Sequence, residues 1–300
     1  MKFAAIDIGS NAVRLLLARV FEEEGQPAFF KKEALVRMPL RLGDDAFTRH
    51  EITAGKADRL VSTMTGFRHL IEAYEPIDYM ACATSAMREA TNGDVIAQRV
   101  RERSAIDLQI IGGKQEAEII YANHLERQFG GERAYLYIDV GGGSTELTLF
   151  ARGRTVASRS FRIGTVRLLE DLVPARRWHE MRAWVREAVD DIAPIQGIGS
   201  GGNINKLFRL AQCKEGKPLG LKRLKAIFEM LNAYTYEQRI RVCGLRADRA
   251  DVIIPAAQIY LAVMGWAGIK KIHVPEVGLA DGVVHILYEK HLAGRQGAAA

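Results

Sequence analysis

Residues 4–18, AAIDIGSNAVRLLLA, interrupt two apolar runs with an aspartate, a glycine and two small polar residues. Residues 136–151, LYIDVGGGSTELTLFA, repeat the arrangement about 130 residues later. A turn of small residues presents backbone N–H groups without bulky side chains, which is what phosphate oxygens require. Gly9, Ser10 and Asn11 form one such turn, and Gly141, Gly142, Gly143, Ser144 and Thr145 the other. An ordinary hairpin turn accounts for DIGSN alone. Its recurrence, with an aspartate at each strand end and a Gly-rich second copy, points instead to a phosphate chain held with a metal. Magnesium takes a few carboxylates and completes its shell with water and substrate oxygens. Asp139 ends one strand and Glu146 begins the return strand, so the two flank one turn; Asp7 is a third candidate ligand. Turn capping is the ordinary alternative role of such acids.

The elements that must position these turns follow from periodicity. MKFAAIDI, VRLLLARV and AFFKKEALVRM read as a strand meander. Ala57, Leu60, Val61, Met64, Phe67, Leu70, Ile71 and Tyr74 then recur at helical spacing behind Thr53, a cap candidate. IDYMACAT predicts a buried strand, DVIAQRVRERS a helix, IDLQIIG a strand, and KQEAEIIYANHLERQF a helix that Gly130 and Gly131 stop. The second half restarts the plan with AYLYIDV, TELTLFA and RTVASRSFRIG. There follow a helix over ARRWHEMRAWVREAVDDI, the strand IQGIGS, helices through NINKLFRLAQ, LKRLKAIFEMLNAYT and RADVIIPAAQIYLAVMGWAG, the strand KKIHVP, and the helix GLADGVVHILYEKH. The tail GRQGAAA reads as frayed. A meander followed by alternating strands and helices implies a mixed sheet with helices packed on it, made twice. An offset of about 132 puts Asp7 on Asp139, Gly9 on Gly141, Leu15 on Leu147 and Leu17 on Leu149, but Arg14 on Glu146.

At 300 residues the chain suits two medium domains. With 48% hydrophobic and 26% charged residues it is an ordinary globular composition, which excludes wholesale disorder. No apolar run reaches the length of a membrane span, and MKFAAIDIGSN lacks signal-peptide character, so a cytoplasmic protein is expected. Cys82, Cys213 and Cys243 are widely spaced and odd in number, which favours reduced thiols over a disulfide framework or zinc site. The net charge of +6 permits an anionic partner. No nucleic-acid-binding signature accompanies it.

IDIGSNAVRLL, ATSAMREATNG, IIGGKQEAEIIY, YIDVGGGSTEL and GIGSGGNINKL, in this order, resemble the motif series of the exopolyphosphatase/guanosine pentaphosphate phosphatase (Ppx/GppA) family, and the resemblance runs from residue 5 to about residue 288. It implies an α/β fold of two ribonuclease-H-like domains of the actin, sugar-kinase and Hsp70 superfamily, over residues 1–124 and 125–300, with an active cleft between them. It implies a catalytic glutamate in the third motif. There the usual Gly-x-Glu-Glu-Ala is Gly113-Lys114-Gln115-Glu116-Ala117, so Glu116 inherits the role of accepting a proton from the attacking water. Glu116 and Glu118 also suit a helix amino end. Arg88, directly after a buried strand, is placed to clamp phosphoryl oxygens; a surface ion pair is the alternative. Asn92 and Gly93 shape the next turn. Gly201 and Gly202 resemble the second domain's phosphate turn, and plain helix entry explains them too. Where the family has Gly-Leu-Arg-Glu-Gly, this chain has Gly278-Leu279-Ala280-Asp281-Gly282, so any contact of that arginine cannot be carried over.

The expected activity is magnesium-dependent hydrolysis of a terminal phosphoanhydride, with inorganic polyphosphate the leading substrate and pppGpp the next. Arg88 and Glu116 are the catalytic candidates, and a homodimer without nucleic-acid or membrane partners is implied by the resemblance. An ATP-dependent kinase of the same superfamily and a non-catalytic sensor of pppGpp or polyphosphate are the alternatives. The chain ends soon after its last helix, where longer members continue into helical domains, so distributive cleavage and a preference for short polyphosphates are expected.

Overall fold

The computed structural model describes residues 1–123, 134–152, 154–190, 192 and 194–299, with side chains through residue 295. It separates into two compact units, Met1–Asn123 with Leu279–Ala300, and His124–Gly278.

In the first unit β1 (Lys2–Ile8), β2 (Val13–Phe21) and β3 (Phe29–Met38) form the antiparallel meander. β4 (Asp78–Ala83) runs parallel to β1, and β5 (Leu108–Ile110) parallel to β4, giving the order β3-β2-β1-β4-β5. β1 is central and buried on both faces, which is why it reads as an unbroken apolar run rather than an alternation. The helix Ala54–Tyr74 buries Ala57, Leu60, Val61, Met64, Phe67 and Ile71, as its periodicity predicts; Leu70 lies outside the stripe and is exposed. Thr53 occupies the cap position without capping. Its hydroxyl donates instead to Asp45 Oδ2 at 2.6 Å.

The second unit repeats the plan. β6 (Ala134–Val140), β7 (Thr145–Ala151) and β8 (Arg154–Phe161) are antiparallel, β9 (Ile195–Ser200) is parallel to β6, and β11 (Lys271–His273) is parallel to β9. A two-residue strand, β10 (Leu219–Gly220), closes the edge, so the order is β10-β11-β9-β6-β7-β8. The duplication seen in two hairpins therefore extends to whole sheets, each of ribonuclease-H-like order. Leu136, Ile138, Leu147 and Leu149 share the second unit's core with Ile253, Ile259, Tyr260 and Val263. The segment predicted as one helix from Arg246 breaks into Ala247–Ala250 and Ile253–Trp266. Pro255 is tolerated only in a first turn, so the second helix has to begin just before it.

The last helix corrects the domain expectation. Leu279–Ala299, assigned by sequence to residues 125–300, belongs to the first unit. Its buried stripe of Leu279, Ala280, Val283, Val284 and Leu287 explains why. The His285 ring stacks on Phe30 at 3.7 Å between centroids, Tyr288 meets Phe3 edge-on, and Asp281 pairs with Lys32 Nζ at 2.8 Å. Ala280 is part of this apolar stripe. The tail is helical to Ala299 rather than frayed. The helix predicted over residues 114–129 is seen as Gly113–Tyr121. Its stop at Gly130 and Gly131 and the boundary between residues 124 and 125 lie outside the described residues.

Gly282 is the tightest point of this packing, because a methyl group on it would stand 1.8 Å from the Ile119 carbonyl oxygen. Gly282→Ala is expected to destabilise the protein by about 1–3 kcal/mol. Urea unfolding reads this, and an unchanged midpoint would contradict the packing described.

Candidate active site

Sequence places an aspartate at the end of each sheet's first strand, and the two are answered differently. In the first unit Asp7 lies opposite Arg14 in the β1–β2 register, and the guanidinium donates to its carboxylate at 2.5 Å. In the second, the equivalent register sets Asp139 opposite Glu146. Like charges directly opposite on one sheet face repel, and a nearby cation offsets that repulsion. Ser160 Oγ donates to Glu146 Oε1 at 2.8 Å, and Glu146 is buried. Gly201, at φ +92°, brings its Cα so close to Asp139 that a methyl group would sit 2.9 Å from Oδ1. On the same strand end, Ser200 Oγ is buried without a hydrogen-bond partner among the described residues, beside Asp139 in register. Hard oxygen donors around a close-approach glycine fit magnesium better than a soft metal. Among the described residues no cluster of three or more acidic, histidine or cysteine side chains is assembled, so the protein's share would be the two carboxylates. Asp7 is paired with Arg14, and Asp139 and Glu146 are the residues that could hold a metal.

The Tyr260 phenol supports this strand end from below, donating to Ser200 O at 2.9 Å. Burial, reinforced by the Asp139 charge, pushes its pKa well above the usual 10, so it acts as a neutral donor.

The second turn is shaped by its surroundings. Gly141 N donates to Ser144 O at 2.9 Å, closing the hairpin. The carbonyls of the next peptides are taken from one side: Gly141 O accepts from Thr165 N at 3.0 Å, Gly142 O from Val166 N at 2.9 Å, and Gly143 O from Arg167 Nε at 2.7 Å. In a trans peptide the N–H points opposite to the C=O. The N–H groups of Gly142, Gly143 and Ser144 therefore face away from the Thr165–Leu169 helix, as an anion cradle requires. Gly164 permits this approach, since a methyl group there would lie 2.4 Å from Gly142 O. Thr145 turns its hydroxyl inward to Ile163 O at 2.6 Å and so acts as an anchor rather than a phosphate contact.

The first turn uses the same device. After β3 the helix Leu42–Thr48 begins, and Gly43 N donates to Ser10 O at 2.8 Å while Arg41 N donates to Asn11 O at 3.0 Å. Gly9 N closes on Ala12 O at 3.1 Å, and Ser10 Oγ shares a 3.0 Å hydrogen bond with Ser85 Oγ. The sequence signal was present: Arg41-Leu42-Gly43 and Arg162-Ile163-Gly164 follow the third strand in each half. It is too short to register beside the longer hairpin repeats. Gly164, Arg167 and Ser200 are thus residues that sequence reasoning missed.

Arg88 and Glu116, remote in sequence, come together in the first unit. Arg88 sits on the short helix Ser85–Glu89, and its NH1 group donates to Ile111 O at 2.6 Å and lies 3.9 Å from Glu116 Oε2. Glu116 is the buried acid of the first turn of Gly113–Tyr121, whereas Gln115 and Glu118 are exposed and Glu118 faces Lys114. Burial first, and then the charges of Asp7 and Glu116, push the Cys82 thiol up to about 12, so both carboxylates lie close to the β4 end and the thiol stays protonated. Asn92 clamps the Ile52 backbone through N and O, and Gly93 N turns back to Ala90 O, the turn-shaping roles expected of both. Gly202 opens the helix Gly202–Leu210 with the Arg249 guanidinium against it, where a methyl group would sit 2.6 Å from NH2.

Two sheets of matching strand order, each with an aspartate and a small-residue turn at the end of its first strand, define a duplicated α/β protein. The family model of the Ppx/GppA phosphatase family matches residues 30–291, and the chain belongs to that family. Exopolyphosphatase 1 of Mycobacterium leprae is 26% identical over 305 residues, covering 95% of this chain and 88% of that protein. A bifunctional 3-dehydroquinate synthase/phosphatase of Fusobacterium nucleatum is 27% identical, with the match covering 88% of this chain and 43% of that protein. Among solved structures, an exopolyphosphatase from Cytophaga hutchinsonii superposes with a TM-score of 0.83 at 23% identity, covering 97% of this chain and 98% of that one. The Aquifex aeolicus family member gives 0.76 at 22% identity, with coverages of 97% and 98%.

Asp45 anchors the helix that orients the first turn, accepting from Thr53 N, Thr53 Oγ1 and Lys56 Nζ. Burial alone would raise its pKa, but these hydrogen bonds and the Lys56 charge outweigh it and hold the carboxyl below its ordinary value. A depressed folded pKa contributes stability that is present above the unfolded value of about 3.9 and is lost as pH falls through the folded pKa. Asp45→Asn is expected to be less stable than the parent at pH 7, with the gap closing below about pH 4. Unfolding midpoints at the two pH values test this; a gap that does not change with pH would exclude the ionised carboxylate as its source.

Proposed function

We propose that this protein is a magnesium-dependent phosphoanhydride hydrolase that releases terminal phosphate from inorganic polyphosphate, and that pppGpp is a further substrate. The observation that carries this reading is the Asp139–Glu146 pair standing beside a turn whose first three carbonyls are drawn to one side. The relatives named as exopolyphosphatases support the choice of polyphosphate.

The second unit contributes binding. The N–H groups of Gly142, Gly143 and Ser144 take phosphate oxygens, and Asp139 and Glu146 would hold the magnesium ion. When bound, the ion supplies positive charge to phosphate oxygens and relieves the repulsion between its two carboxylates. Gly201 and Gly202 keep bulk away from this strand end. The first unit contributes the chemistry of water. Glu116 accepts a proton from the attacking water as its oxygen forms a bond to the terminal phosphorus and the bridging P–O bond breaks, leaving the electron pair on the shortened chain. Arg88, tethered through Ile111 O, brings positive charge to the developing phosphoryl charge. Gly9, Ser10 and Asn11 form the first unit's phosphate turn.

Short chains are favoured in this reading, because the two turns engage few phosphates and exposed contacts add little salt-resistant grip. A cytoplasmic enzyme agrees with three free thiols and with the absence, among the described residues, of any helix long and apolar enough to cross a membrane. The family resemblance also points to a homodimer.

Two outcomes are expected. Purified protein given polyphosphate and magnesium without nucleotide releases orthophosphate while all chains shorten gradually on a gel. Glu116→Gln lowers that rate by roughly 100- to 10,000-fold with binding retained. No phosphate release by the parent protein would overturn the hydrolase, and parent-like turnover by the variant would remove Glu116 from the role. Asp139→Asn and Glu146→Gln are each expected to raise the magnesium concentration for half-maximal rate, since an amide is a poorer hard-cation ligand than a carboxylate. An unchanged titration for both moves the metal elsewhere.

A further inference from the structure

The two turns differ in what lies beneath them. The first is tied by two backbone donors, Gly43 N and Arg41 N, while the Arg41 guanidinium is spent on Asp44. The second is tied by backbone donors of Thr165 and Val166 and, at its third carbonyl, by a side chain: Arg167 Nε on Gly143 O at 2.7 Å. Arg167 is 7% exposed, so its charge is screened little by water. Arg167 N also approaches Gly142 O at 3.4 Å, and Leu172 N donates back to Arg167 O at 2.8 Å, which fixes the residue at both ends of its peptide unit.

From this geometry we propose that Arg167 is the positioning residue of the phosphate cradle. It does so in two ways. By holding Gly143 O it turns the following N–H, that of Ser144, outward, completing a run of three donors that backbone contacts alone leave at two. By placing a buried guanidinium behind the turn it adds positive potential to the face that receives the anion. Arg167 acts through the Gly143–Ser144 peptide and touches no substrate. This rests on the reading that the second turn binds phosphate.

Arg167→Met removes both effects, and Arg167→Lys keeps the charge and one donor. With tripolyphosphate as substrate, Arg167→Met is expected to raise KM about 10- to 100-fold, the loss typical of a charge-assisted hydrogen bond, with kcat changed much less. Calorimetric affinity for tripolyphosphate falls by the same factor, and Arg167→Lys recovers most of it. A purely structural role would lower the melting temperature and the fraction of active protein while leaving KM and affinity alone, and that outcome overturns the proposal. Should Arg167→Met not fold, Arg167→Gln, which retains an amide donor without charge, decides in its place by the same KM and affinity readout. Failure of the parent protein to bind or cleave tripolyphosphate sinks the phosphate reading itself. Normal parent activity with an unchanged KM in the variants sinks only the role of Arg167.

Discussion

The structure depends on one property of the peptide bond: when a turn's carbonyls are fixed on one side, its N–H groups must face the other. In each unit the chain exploits this after the third strand. A short helix begins there, and its first N–H groups reach the carbonyls of the hairpin between the first two strands, through Gly43 to Ser10 and through Thr165 and Val166 to Gly141 and Gly142. The sheet order follows from the same demand, because the meander has to bring the end of β3 or β8 back beside the turn between its first two strands. The apolar cores hold that placement: Phe3, Ile6, Ile8, Leu15 and Leu16 in one unit, and Leu136, Ile138, Leu147 and Leu149 in the other, are buried.

Duplication supplied two copies of this device, and charge made them different. The residue across from the strand-end aspartate is arginine in one and glutamate in the other. Asp7 is paired with Arg14, whereas Asp139 stands across from a second carboxylate. The same asymmetry runs beneath the turns, where Arg41 is held by Asp44 and Arg167 is applied to the backbone of the turn. In the function proposed above, the first unit is consequently suited to proton transfer through Glu116 and the second to gripping phosphate.

Much of this is legible in the residue pattern. The strands β6, β7 and β9 fall on the predicted residues, because continuous apolar runs bounded by Gly-rich turns leave few alternatives. The hairpin repeat announced both turns, and the pairing of Asp139 with Glu146 follows from counting residues around a closed hairpin. Other features were hidden for identifiable reasons. Thr53 looked like a cap, but its hydroxyl found Asp45, a partner set by tertiary proximity. The last helix looked like the end of the second domain because it follows it in sequence, yet its stripe of Leu279, Val283 and Leu287 packs in the first unit. Arg167 carries no sequence signal of its own, because its partner Gly143 O lies 24 residues away.

Periodicity, small residues and short spacings along the chain suffice for the elements, the duplication and the chemical types at each turn. Which residues meet is set when the chain closes: Arg88 with Glu116, Arg167 with Gly143, and the final helix with β1. Those contacts join residues far apart in the chain, and nothing in local spacing encodes them. They arise where buried polar groups must find partners and apolar stripes must find cover, and both conditions are met only when the whole unit closes.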